Sequence, residues 1–208
     1  MRVFSFNASR ALMAGVGVAV FASASWAHVT FRPNQPFQPG GSAEITMVVP
    51  TERAVGTVRV TLELPEAFLK AGGRLSRLEF PAGWHVKIDR EDKPGDIYTR
   101  EMDQRAKRNG DNEHNAAPAK TPAEKKEQEV ANEMRRKWIK KVTFEGGLIP
   151  PDGYKAFSLE IQLPTEPGVY RLPAVQTYAD GVEVSWSELV EGAPHPAPAI
   201  VIEQKTKK

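Results

Sequence analysis

Apolar and polar residues alternate along most of this chain in short runs divided by Pro and Gly. The clearest run is residues 57–64, where Val58, Val60, Leu62 and Leu64 share one face and Arg59, Thr61 and Glu63 the other. Residues 43–49 form a second run that stops at Pro50, and residues 28–32 alternate just ahead of a Pro- and Gly-rich loop at 33–41. Further strands are predicted at 75–80, 84–89, 97–102, 139–144, 156–163, 170–178, 182–189 and 200–203. So many short strands, with no alternation of strand and helix and no internal repeat, predict an all-β antiparallel sandwich or barrel.

One segment breaks this rhythm. From residue 101 to 137, 17 of 37 residues are Asp, Glu, Lys or Arg, and strongly apolar side chains nearly vanish. Its first half, around residues 109–115, predicts a mobile loop. Its second half carries a helix start, with Thr121 as N-cap, Pro122 in the first turn and Glu124 at the third helical position. Val130, Met134 and Trp138 follow as a narrow apolar stripe. The segment is therefore expected to be a charged, partly helical insertion, on residues alone a solvated spacer.

The N-terminus changes the picture from fold to chemistry. Arg2 and Arg10 precede an apolar stretch at 11–22, and Ser25 and Ala27 occupy the small positions of a cleavage site. At about a dozen residues that stretch is shorter than the roughly 20 a membrane helix needs. Residues 1–27 thus predict a signal peptide, leaving a 28–203 domain, a polar tail at 204–208 and no transmembrane segment in the mature chain. The mature chain would hold 26 basic and 26 acidic residues, a balance that gives no reason to expect nucleic acid as partner. It has no cysteine, which removes disulfides, thiolate metal sites and cysteine nucleophiles together.

Cleavage after Ala27 makes His28 the first residue. A terminal histidine is a chelate in itself, because its α-amine and imidazole Nδ1 close a six-membered ring on one metal ion. A carboxylate to join them is offered by Glu52, on a loop just past the strand that ends at Pro50. Glu44 is the rival, its direction fixed by the pleat of a strand. By periodicity alone Glu52 is an ordinary surface acid and Trp186 a core tryptophan.

The pieces His28-Val-Thr-Phe-Arg-Pro33, Val49-Pro-Thr-Glu52, Pro81-Ala-Gly-Trp84 and the segment from Gln176 to Trp186 resemble, in order and spacing, the YcnI-like copper-binding domains. The charged block at 101–137 is longer than that family leads one to expect. The resemblance implies an exported sandwich, cupredoxin-like or immunoglobulin-like, that binds Cu(II) through a single-histidine brace. Its ligands by motif are the His28 amine and imidazole and Glu52, with Trp186 beside the ion. Two nitrogens and a carboxylate suit a tetragonal Cu(II) site. Indole N–H is a donor, so Trp186 is expected to offer its π-face and shield the ion from solvent.

The other candidates have plainer readings. Trp84 is expected in the core, His85 exposed on the opposite face of its strand, and His114 solvated in the insertion. His195 lies in a Pro-rich loop predicted to be mobile, with accessory copper ligation as its alternative. Met47, Met102 and Met134 are scattered rather than clustered as a Cu(I) site requires. The function expected is sequestration of Cu(II) or its delivery to a membrane copper-transport protein, not enzymatic catalysis. A metal-free interaction or assembly module is the alternative. A copper-dependent oxidative enzyme would need a second histidine to complete three nitrogens around the ion.

Overall fold

The computed structural model describes residues 28–110, 121–190 and 192–204, without the side chains of 108–110. The leader at 1–27 with its cleavage site, His114, and the tail beyond Gln204 lie outside the described residues.

The first half of the chain forms β1 (Thr30–Arg32), β2 (Ser42–Pro50), β3 (Thr57–Glu63), a short helix α1 (Glu66–Lys70), β4 (Arg74–Leu78), β5 (His85–Asp92) and α2 (Gly95–Gly110). The second half forms α3 (Pro122–Arg135), β6 (Lys137–Ile149), β7 (Tyr154–Gln162), β8 (Gly168–Arg171), β9 (Ala174–Tyr178), β10 (Glu183–Trp186) and β11 (Ala199–Ile202). One sheet runs β1-β2-β7-β4 and the other β10-β9-β3-β6-β5, with β8 and β11 as a separate ribbon. All these strand pairs are antiparallel. The expected all-β sandwich is what the chain forms.

Apolar faces of the two large sheets meet in one core. Phe144 of β6 packs on Phe157 of β7 at 4.3 Å between ring centroids, and Trp84 stands edge-on to Phe157 at 5.3 Å. Trp84 is thus a packing residue, as its sequence context suggested. It lies so close to the β6 backbone that a Cβ on Gly147 would sit 2.1 Å from the Trp84 ring. Overpacking of this kind costs roughly 1–3 kcal/mol. Gly147→Ala is expected to destabilise the fold by that amount, read as a lower urea midpoint at unchanged slope.

Three expectations need correction. Residues 97–102, read as a strand from Ile97-Tyr98-Thr99, lie inside helix α2. Only Ile97 of that run is fully buried, so burial of a strand face never competed with the helical start after Pro94, whose carbonyl accepts from Tyr98 N–H at 3.0 Å. The stretch 170–178 is two strands, because Pro173 at the break cannot donate to a ladder. The stripe of Val130, Met134 and Trp138 is also divided: α3 ends before Trp138, which is buried in β6, while Val130 and Met134 stay half-exposed. The α3 start is as expected, with Thr121 and Glu124 forming a reciprocal capping box.

The charged insertion docks on the sandwich. Ile97 is buried, and Glu101 of α2 takes Lys93 Nζ at 2.7 Å and the Arg74 guanidinium of β4 at 2.5 Å.

Candidate metal centre

β1 pairs with β2 in a register that sets Thr30 opposite Val48. Carried two residues back, the same register brings His28 opposite Pro50, so His28 and the Pro50-Thr51-Glu52 loop share one end of the sandwich. Burial of Val29 and Phe31 holds this short edge strand down. Glu44 is displaced from that end by six residues along β2, about 20 Å at strand rise. It is exposed and faces Ser158, which removes it as a ligand candidate for His28.

Trp186 closes β10 and is fully buried. Its ring meets the half-buried His28 imidazole at 5.5 Å between centroids, tilted by 59°. Its indole N–H donates to Gln176 Oε1 at 3.2 Å. With the N–H so occupied, what Trp186 offers His28 is ring surface.

Gln176 is the hinge of a buried polar network below this contact. Its side-chain amide donates to the Pro50 carbonyl at 2.8 Å and to Thr57 Oγ1 at 2.6 Å. Thr57 Oγ1 in turn lies 3.2 Å from Thr51 Oγ1, which reaches the Ile149 carbonyl. Strict alternation would have put Val58 in the interior. A bulge between Thr57 and Arg59 turns Thr57 inward instead. The network ties the loop after Pro50 to the strand that carries Gln176, and through Gln176 to Trp186.

Glu52 is exposed at the loop tip. Its neighbour Arg53 forms a two-point ion pair with Asp180, at 2.9 Å for each contact, and lies 4.8 Å over the Tyr178 ring. That ion pair holds the Asp180 carboxyl below its ordinary pKa. Burial raises the pKa of the Tyr178 hydroxyl; the Glu52 main chain opposes the shift and the Glu52 carboxylate adds to it. Glu52 therefore lies beside the Tyr178 hydroxyl, with its main chain turned to it. The sandwich end thus brings His28 and Trp186 into contact and carries Glu52 on an anchored loop.

Two other histidines separate clearly. His85 is exposed on β5, at the far edge of the five-stranded sheet from β10. Four strand spacings, about 19 Å, lie between them. His195 is close instead: its ring packs edge-on to Trp186 at 5.2 Å. Its loop is fastened, since Glu188 N–H donates to the His195 carbonyl, the Glu188 carboxylate accepts from His195 N–H, and Ala197 N–H donates to the Glu188 carbonyl. Periodicity could not have shown this, because the pairing joins residues across an irregular loop. Met47, Met102 and Met134 sit on β2, α2 and α3 respectively.

Residues 113–202 match the family described as a domain of unknown function, DUF1775. That is the domain of the YcnI-like proteins whose motifs the sequence resembles. The matched span takes in Trp186 and His195 and leaves His28 and Glu52 outside it. Among solved structures, an uncharacterized protein from Nocardia farcinica, described as having an immunoglobulin-like fold, superposes with a TM-score of 0.53. It is 23% identical, over 85% of this chain and 99% of that one. A "putative membrane anchored protein" from Corynebacterium diphtheriae matches at 12% identity and a TM-score of 0.35, over 80% of this chain and 32% of its own. No curated protein matches the chain. The likeness to the Nocardia farcinica protein shows an immunoglobulin-like sandwich fold.

Among the described residues no three His, Cys, Asp or Glu side chains converge as a metal cluster. A terminal-histidine chelate needs no such convergence, since its second donor is a main-chain nitrogen. An imidazole and a carboxylate at one sheet end, beside an indole face and without thiolates, fit a borderline divalent ion such as Cu(II). Among the described residues no helix is long and apolar enough to cross a membrane.

Proposed function

We propose that the mature protein binds Cu(II) at the His28 end of the sandwich, as cargo to be sequestered or passed to a membrane copper-transport partner. The reading rests chiefly on the His28 imidazole held against the buried Trp186 ring at 5.5 Å. After cleavage at Ala27 the His28 amine and Nδ1 would chelate the ion. Glu52 would supply an oxygen from its loop, and the indole would shield one side. A terminus on an edge strand is open to exchange, which suits a carrier working outside the cytoplasm, in a periplasmic or similar compartment, and not an enzyme.

Titration of the chain beginning at His28 with Cu(II), followed by electron paramagnetic resonance, tests this. A tight one-to-one type 2 signal is expected, weakened at least roughly tenfold in Glu52→Gln, the loss appropriate to one charged ligand contact. A weak signal without defined stoichiometry would sink the reading.

His195 against the same indole favours a second reading, an oxidative copper site with a second imidazole. Pulsed resonance counts coupled imidazoles directly. One imidazole supports the carrier; two, with one lost in His195→Gln, would support the oxidative site.

A further inference from the structure

The opposite end of the sandwich holds a pocket that the copper reading does not use. Arg74 pairs in register with Gln162, which faces Ser42, eight residues along β2 from Pro50. At strand rise that is about 27 Å from the His28 end. The pocket measures about 220 Å³ and forms where α2 and the end of α3 close over β4 and the segment after β5; Arg74, Lys93, Arg105 and Arg135 line it, together with Glu101.

Four cations thus surround one carboxylate. Glu101 is shared between Lys93, whose side chain is only 6% exposed, and Arg74. Arg135 donates to the neutral Asn132 side chain. Arg105, one helical turn beyond Glu101 on α2, has no ion pair among the described residues. The lining therefore carries an excess of three positive charges in a mature chain that is neutral overall. Such charges repel one another in a concave, partly desolvated space unless an anion joins them.

We propose that this pocket is an anion site that takes one small oxyanion, of the phosphate or sulfate class. Guanidinium forks match the oxygens of such an ion, and charge-assisted bonds are the strong ones. The Lys93–Glu101 pair, its lysine buried and its carboxylate part-exposed, forms the floor, while Arg105 and Arg135, neither in an ion pair among the described residues, line the pocket from two helices. The volume falls below the roughly 300 Å³ at which ordinary small-molecule pockets begin, which favours a small ion over a nucleotide. The insertion then has a task of its own: α2 and α3 add Arg105 and Arg135 to the Arg74 of the sandwich.

Calorimetric titration of the metal-free mature protein with inorganic phosphate at low ionic strength tests the proposal without reference to copper. Saturable one-to-one binding is expected. Arg105→Gln and Arg135→Gln should each weaken it by at least roughly tenfold, the loss of one charge-assisted bond. Lys126→Gln, exposed on α3 away from the pocket, removes the same charge and should bind as the parent does. Melting each variant without phosphate checks that its fold is intact. Glycerol 3-phosphate in a parallel arm separates a free oxyanion from a phosphomonoester end; either one, with the same dependence on the arginines, upholds the site. Absent or unsaturable binding would overturn it, as would equal weakening by Lys126→Gln.

Discussion

Acetylation of the His28 α-amine in the mature chain is expected to abolish tight Cu(II) binding while leaving the fold unchanged. The acetyl group keeps every side chain of the sandwich and converts the His28 nitrogen from a free amine to an amide nitrogen, with no new amine beside it. An amide nitrogen is not a neutral donor near pH 7, so the chelate ring loses one of its two atoms on the metal. What remains is one imidazole and the Glu52 carboxylate, a pair with no ring of its own. Losing a chelating nitrogen should cost two or more orders of magnitude in affinity, about 3 kcal/mol or more by the usual conversion. The uncleaved chain should behave as the acetylated protein does, so copper loading would follow removal of the leader. A competition titration against a chelator of known affinity, with urea unfolding of both proteins beside it, checks the expectation. Equal affinity in the two proteins would remove the terminal amine from the site.

The parts of the fold that were legible in the sequence are those where one face of a strand is buried. Residues 57–64 alternate because Val60, Leu62 and Leu64 enter the core, and the structure keeps that alternation from Val60 onward. It fails at Thr57, where a bulge turns a polar residue inward, because a bulge leaves no mark in apolar periodicity. Helix α2 was missed for a related reason. Its face is mostly solvated and fastened by Glu101 rather than by an apolar stripe, so β-branched and aromatic residues at 97–99 carried the local signal. At the site, His28 was legible from the cleavage pattern and Trp186 from the motif. The link between them was not, since it runs through Gln176, an amide buried in the middle of an inward-facing strand. A glutamine with alternating apolar neighbours at Ala174 and Tyr178 was the one available sign of such a network.

Replacing Trp186 by alanine is expected to be among the most destabilising single substitutions in this chain, even without metal. The ring is fully buried, and removal of a large aromatic from a core costs about 3–5 kcal/mol. Trp186→Phe divides that loss into parts. Phenylalanine fills most of the space but has no N–H, so Gln176 Oε1 loses its donor in a buried position. An orphaned buried acceptor costs about 1–3 kcal/mol, and urea unfolding of the metal-free protein should show a loss in that range. Copper binding should respond differently in the two variants. Phenylalanine retains a ring face for His28 and should keep most of the affinity, whereas alanine leaves the imbalance of a mobile imidazole and an exposed ion. The packing that buries the indole also holds its face against His28, so on the proposed reading core tryptophan and metal shield become one role. If Trp186→Phe left stability untouched, the Gln176 network would not be holding the indole. If Trp186→Ala, still folded, bound copper as tightly as the parent, the indole would have no part in the site.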